Sequence, residues 1–300
     1  MSAAKRAASA LVVYGNCQAE AIVTSLGADA FFTAMLTPVY LRSFEHPVDG
    51  RATIEGRTLE RTALLWEQHD PIRFPYLDRL RSDVPVVTFA SADLQLLFPF
   101  NCVNPYNAPE PPIFPFGRFA YGDRVILRAI DRGMTRDDVL EYYLTSWDDY
   151  AIDLDRLEQL ENARLRARDA KCAVAIGDFV LATFRKQRLF WTANHPTSFL
   201  LAELIERLLC ASERLNPALA DTDIERTLQV CFRPEGPLGV VSVPVHPRVA
   251  EILGLEWYDP RERYRNWDGT TYSYEEYVAA MIDHAFAMRE LGAGRPIAPR

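Results

Sequence analysis

The first strong signal along the chain is Ala10-Leu-Val-Val-Tyr14, five consecutive apolar residues of the kind that form a strand buried on both faces. Gly15-Asn16-Cys17-Gln18 follows at once, and 19–26 then carries helical spacing that stops at Gly27. Three more strand-like runs occupy 31–41, 63–67 and 84–89, with loops and helical stretches between them. That alternation predicts an α/β arrangement with a mainly parallel sheet in the N-terminal part.

The stretch 98–119 breaks the pattern, with Pro99, Pro105, Pro109, Pro111, Pro112 and Pro115 interleaved with aromatics. Prolines at this density exclude a regular helix or a central strand, so an ordered long loop is expected there. Helical spacing then dominates: 135–150, opening Thr-Arg-Asp-Asp, then 153–170, 197–211, 249–253 and 274–291, with a short strand pattern at 240–245. The pattern at 179–190 fits no single element. The expected fold class is α/β, an N-terminal mainly parallel sheet with a helix-rich C-terminal half. The expected organisation is one domain over 10–292, between a disordered tail at 1–9 and a flexible one at 293–300.

Composition narrows the function classes. Against 33 Lys+Arg stand 41 Asp+Glu, a net charge of −8, which argues against a general nucleic-acid binder because phosphate contacts need a basic footprint. The longest apolar run is six residues, 277–282, far short of the ~20 that span a bilayer. The apolar run that follows Lys5 and Arg6, Ala10 to Tyr14, is only five residues long, too short for a secretory leader, and a cytoplasmic protein is expected. Cys17, Cys102, Cys172, Cys210 and Cys231 are an odd, scattered set without CxxC spacing, so neither a disulfide framework nor a zinc site is expected. Only three of the 33 basic residues are Lys. Arginine excess suits phosphate or carboxylate recognition, but a GC-rich coding bias produces it equally well.

Cys17 is the first candidate for chemistry. It stands where a buried strand delivers the chain to a helix N-terminus, and there unpaired amides and the helix dipole favour a thiolate. The amides of Gln18 and Ala19, with the Asn16 or Gln18 side chain, are candidate oxyanion donors. A buried structural cysteine is the plain alternative. His195, before Pro196, is expected near the positive end of the next helix, which keeps an imidazole neutral and able to act as a base. His69 follows a strand in Trp66-Glu-Gln-His-Asp-Pro71 and is the other candidate base, with Asp70 beside it. His246, before Pro247, reads as a helix cap. Dinucleotide, Walker A, HExxH and GxSxG signatures are absent.

Taken together, Gly15-Asn-Cys-Gln18, Gln68-His69, Val87-Thr-Phe-Ala, Phe98-Pro-Phe-Asn101, Tyr121-Gly-Asp123 and Leu189-Phe-Trp-Thr-Ala-Asn-His-Pro196 resemble the WcbI family of capsular polysaccharide biosynthesis enzymes, from about residue 10 to residue 290. The resemblance implies a cytosolic α/β protein that binds coenzyme A and acetyl-CoA, with a cysteine-centred, hydrolase-like site. By motif, Cys17 and Gln18 match the GNCQ positions and His195 the His-Pro position. Arg118, Arg124, Arg185 and Lys186 are candidates for the 3′-phosphate and pyrophosphate of coenzyme A, chosen only because those groups want fixed cations.

The leading expectation is acetyl transfer from acetyl-CoA, a small-molecule donor, to a hydroxyl of a sugar or polysaccharide acceptor. Cys17 would be the nucleophile, and His195 or His69 the base. Two other readings use the same residues: a cysteine-dependent thioesterase with water as acceptor, and a non-catalytic ligand-binding module in polysaccharide assembly whose aromatic 98–119 loop is a carbohydrate platform.

Overall fold

The structure, a computed structural model, describes residues 9–47, 49–69, 73–216, 219, 222–232 and 236–292. The tails expected at 1–9 and 293–300 lie outside the described residues except for Ser9, and Asp70 lies outside them as well.

β1 (Ser9–Gly15) is the first apolar run, and Ala10 to Tyr14 are all buried. After Asn16 alone comes α1 (Cys17–Gly27), then α2 (Ala30–Met35), β2 (Leu36–Arg42), α3 (Gly56–Arg61), β3 (Thr62–Gln68) and β4 (Val86–Phe89). The four strands make one sheet in the order β2-β1-β3-β4, and every pair is parallel, as the alternation of runs predicts. From β1 the chain steps to one side to place β2 and to the other to place β3. The order therefore reverses between β1 and β3, and outside the carboxyl ends of such a strand pair an α/β sheet leaves its binding crevice. Gly15-Asn16-Cys17-Gln18 and Gln68-His69 are the residues at those two ends.

The remaining elements are β5 (Asn101–Val103), β6 (Tyr121–Asp123), α4 (Arg124–Asp131), α5 (Arg136–Thr145), α6 (Trp147–Tyr150), α7 (Leu154–Asp169), α8 (Gly177–Thr183), β7 (Phe190–Thr192) and β8 (His195–Pro196). They continue with α9 (Ser198–Glu213), α10 (Ile224–Cys231), α11 (Pro247–Leu253), β9 (Tyr264–Arg265), β10 (Thr271–Tyr272) and α12 (Tyr274–Glu290). Helices thus dominate the C-terminal half, in agreement with the sequence.

The chain forms two compact units. The first gathers the described residues of 1–93, 162–182 and 195–239, the second those of 94–161, 183–194 and 240–300. In the first, α1 and α9 pack against each other and α9 also reaches β4. Trp66 of β3 is fully buried and donates its indole N–H to Ser212 Oγ of α9 at 2.8 Å. Val12, Tyr14, Leu41, Leu65 and Phe74 form a further cluster of this unit, with Leu59 of α3. The second unit is built on α4, α5 and α12, which bury Ile126, Ile130, Val139, Val278 and Ile282 around Phe119 and Tyr277.

Three elements differ from the sequence expectation. The run 31–41 divides because Asp29 caps a helix, accepting the Phe31 amide at 2.9 Å, so α2 precedes β2 and Phe31 is left exposed. The helix expected over 135–150 keeps its Thr135 cap but breaks at Ser146, whose backbone (φ −108°, ψ 43°) is not helical, giving α5 and α6. The strand expected at 240–245 does not form. There the amides of Ser242 and Val243 bond singly to the carbonyls of Arg265 and Trp191, so the segment is held without a ladder. The proline-rich 98–119 stretch is mainly loop, with β5 near its start paired antiparallel to β6 just beyond its end.

Asp29 also closes the first unit. It is 1% exposed, and its carboxylate takes both arms of the Arg226 guanidinium (3.0 and 2.9 Å) and the Thr227 hydroxyl (2.9 Å), both on α10. Burial works to raise its pKa, but Arg226, Thr227 and the capped amides outweigh it and hold the carboxyl below its ordinary value. A depressed carboxyl contributes stability that is complete above its unfolded pKa and is lost as pH falls through the folded one. Asp29→Ala is therefore expected to cost about 2–3 kcal/mol at pH 7 in a urea titration, because Arg226, partly exposed, regains some water. The cost should shrink as pH falls below the ordinary carboxylate range, where wild type loses the charge as well.

Candidate active site

The turn from β1 into α1 is held by an amide network. Asn16 Oδ1 accepts the Gln18 amide at 2.9 Å, and the Asn16 carbonyl accepts the amide of Ala19 at 3.0 Å. The Asn16 amide itself donates to Gln68 Oε1 at 2.8 Å. Gln68 Nε2 donates to Gln18 Oε1 at 3.2 Å, and Gln18 closes the circuit on Ala92, donating to its carbonyl at 2.6 Å and accepting its amide at 2.9 Å. Both glutamines are buried (0% and 1% exposed), so two side chains tie together the carboxyl ends of β1 and β3 and the loop after β4. Gly15 is required beside them. A Cβ there would stand 2.6 Å from Gln68 Oε1 and 2.8 Å from Gln68 Cβ, closer than atoms tolerate.

Cys17 is the first residue of α1 and is half-buried. Burial, followed by the charge of Glu20 one turn on, pushes its thiol up to about 12, while the amides of Cys17 and Gln18 act in the opposite direction. The helix terminus thus has the effect expected of it, but desolvation is larger, and the net shift is opposite to the thiolate-favouring one expected from the sequence. The amides of Gln18 and Ala19, two candidate oxyanion donors, already serve the Asn16 cap. The Cys17 amide lies against its own thiol. Tyr40 of β2 lies in the same electrostatic neighbourhood. Burial, then Glu20 and Cys17, raise its phenol above the ordinary value, and its hydroxyl is buried with no hydrogen-bond partner among the described residues.

His195 lies in β8, which packs against α1. It is 6% exposed, and burial pushes its imidazole down to about 4, so the ring is neutral throughout the physiological range. The sequence expectation of a neutral ring agrees, but burial is the cause. Pro196 does not begin the following helix, since Thr197 is the cap residue of α9. His69 follows β3 directly, and its amide donates to the Phe89 carbonyl at 2.7 Å, fixing the backbone beside β4.

The four proposed phosphate ligands all belong to the second unit. Arg118 makes a two-pronged pair with Glu110 (2.9–3.1 Å) and lies over the Phe114 ring. Arg185 is bonded to Glu158 at 2.6 Å and to the Leu253 carbonyl at 3.1 Å. Arg124 opens α4 with its amide on the Phe100 carbonyl, and Lys186 is exposed after α8. A phosphate would have to displace a carboxylate at two of these four.

His246, also in the second unit, caps α11, as its His-Pro wording suggests. Its Nδ1 accepts the Arg248 amide at 3.1 Å, which leaves the proton on Nε2, 3.1 Å from the Tyr150 hydroxyl. It belongs to a network under an aromatic cavity, with Asp123 bonded to the Tyr143 hydroxyl at 2.7 Å and pushed up to about 6 by burial. Among the described residues no cluster of His, Cys, Asp and Glu is placed to hold a metal ion, and no helix is long and apolar enough to cross a membrane.

Sequence reasoning quoted Gln68 but assigned it no role, and passed over Tyr40. The available signal for Gln68 was a glutamine closing, with Glu67, an apolar strand, Leu64-Leu-Trp-Glu-Gln68, where a buried polar side chain needs a partner. For Tyr40 the sequence carries none.

A family model described as polysaccharide biosynthesis enzyme WcbI matches residues 10–214. No curated protein matches the chain in sequence. Among solved structures, one of WcbI shares the fold at a TM-score of 0.71 with 19% sequence identity, covering 95% of this chain and 92% of the other. That protein is described as a novel polysaccharide biosynthesis enzyme, in its native form without a disulfide bond between coenzyme A and one of its cysteines.

Proposed function

From a chain that belongs to the WcbI family of polysaccharide biosynthesis enzymes, we propose a coenzyme A-dependent acetyltransferase that esterifies a sugar hydroxyl in capsular or related polysaccharide synthesis, with Cys17 as nucleophile and His195 as base. The observation that carries this reading is the placement of Cys17. A buried amide network fixes it at the helix terminus beside the sheet's switch point, and the helix it opens packs against the His195 strand. The structural neighbour is described by the absence of a disulfide bond between coenzyme A and one of its cysteines, and that pairing of ligand and residue supports coenzyme A as the donor's carrier.

The electrostatics decide how such a reaction would run. With its thiol pushed up to about 12, Cys17 is almost wholly un-ionised at pH 7, which disfavours a free resting thiolate as the attacking species. The proton has to leave as attack occurs, and a neutral buried imidazole is the group to take it. Sγ adds to the thioester carbonyl as His195 accepts the thiol proton. The oxyanion forms against the Cys17 amide, and the bond to the coenzyme A sulfur breaks as His195 returns the proton to it. In the second half His195 takes the proton of the sugar hydroxyl, the oxygen attacks the acyl-enzyme, and Cys17 leaves as the thiol with that proton. Burial of the thiol serves the exchange as well, since it keeps water from the acyl-enzyme.

The test is a calorimetric titration with coenzyme A, acetyl-CoA and adenosine diphosphate. Binding at micromolar strength or tighter, about −8 kcal/mol, is expected for both coenzyme A forms and not for the plain nucleotide. Equal binding of all three would remove the pantetheine arm from recognition, and no binding by either coenzyme A form would overturn the reading. Consumption of acetyl-CoA at the same rate with and without a glycan would favour the thioesterase instead.

A further inference from the structure

Gln68 sits at the end of β3, on a different element from Cys17, yet it is the residue through which the Cys17 turn is anchored to the sheet. Its register brings it level with Gly15, since Tyr14 of β1 pairs with Glu67 of β3. Its carbonyl oxygen accepts the Asn16 amide at 2.8 Å, and Asn16 in turn caps the Gln18 amide that lies against the thiol. Its amino group donates to Gln18 Oε1 at 3.2 Å. Gln18 cannot turn over to suit another neighbour, because its own oxygen and nitrogen are matched to the amide and carbonyl of Ala92. Only a side chain with an acceptor on one branch and a donor on the other fits the position.

We propose that Gln68 is the positioning residue for Cys17: by bonding Asn16 and Gln18 at once it holds the thiol half-buried at the start of α1. The inference rests on the reading of Cys17 as nucleophile and deepens it. Gln68 touches no reacting atom. Its effect reaches the thiol through Asn16 and the Gln18 amide; its hydrogen bonds run to Asn16 and Gln18, not to Glu20 of α1 or Tyr40 of β2, the other titratable groups near that thiol.

The readout is the rate of iodoacetamide alkylation of Cys17, followed by peptide mass spectrometry, with thermal melting as a control for folding. Gln68→Met removes both bonds and releases the turn to solvent. Cys17 is expected to alkylate at least about tenfold faster at pH 8, since each unit of fall in thiol pKa gives about tenfold more thiolate. Gln68→Glu supplies the conservative variant. Protonated, the introduced carboxyl accepts from Asn16 and donates to Gln18 as the amide does; ionised, it faces the Gln18 oxygen with no hydrogen. Position 68 is 1% exposed, so burial raises that carboxyl and keeps it protonated at pH 5.5; this variant is expected to match wild type there and to follow Gln68→Met at pH 8, which a loss of general stability would not reproduce. Equal alkylation rates in wild type and a folded Gln68→Met would overturn the proposal. If Gln68→Met does not fold, a Gln68→Glu pH profile identical to wild type would overturn it as well. The nucleophile reading fails separately, if Cys17→Ala transfers acetyl at the wild-type rate.

Discussion

Cys17→Ala is expected to lower acetyl transfer by about 10³-fold or more while leaving coenzyme A binding within about threefold of wild type. The split follows from the place of the sulfur. Its removal deletes the proposed nucleophile but none of the bonds that shape the turn, because Asn16, Gln18, Gln68 and Ala92 bond through other groups. Alanine at the first position of a helix costs no propensity, so the fold should melt at or near the wild-type temperature. In the wild-type protein, acetyl-CoA without acceptor should leave an acetyl adduct on the Cys17 peptide, visible by mass spectrometry. Full transfer by the alanine variant would show that the sugar hydroxyl attacks the donor directly, with the histidine as base in a ternary complex.

His195→Gln should reduce kcat by about 10²- to 10⁴-fold, the usual contribution of a positioned base, and His69→Gln should change it by no more than about threefold. The pH profile gives a second, independent check. A base is useful only when neutral, and burial holds His195 near 4, so transfer should be independent of pH from about 5 to 8 and fall as pH drops through 4. An acid limb near 6.5, the value of an ordinary imidazole, would point away from His195. Reversal of the two mutational effects would make His69 the base.

Much of this site was legible along the chain. The run 10–14 followed by a glycine and a polar tripeptide locates the strand-to-helix turn, because apolar continuity and a capping asparagine are local properties. Parallel pairing follows from the alternation of strands with crossovers. The sequence misled where one residue's partner lies far away. Asp29 looks like loop, but its pairing with Arg226 nearly 200 positions on helps fix α2, and so 31–41 became helix and strand rather than strand alone. The dense prolines of 98–119 correctly excluded a central strand, since a missing amide donor is again a local fact.

The sequence by itself therefore determined which residues stand at the turn: Asn16 as cap, Cys17 first in the helix, and Gly15 free of a side chain. The tertiary structure alone decided what that position does to the chemistry. Helix-terminus reasoning favours a thiolate, since the amides it counts are within two residues of the sulfur. Desolvation depends instead on everything packed around the thiol, and here it wins, raising the thiol to about 12 and lowering His195 to about 4. The role of Gln68 was hidden for the same reason. A hydrogen bond between residues 52 positions apart is created by strand order and register, and neither is written in any one segment of the chain.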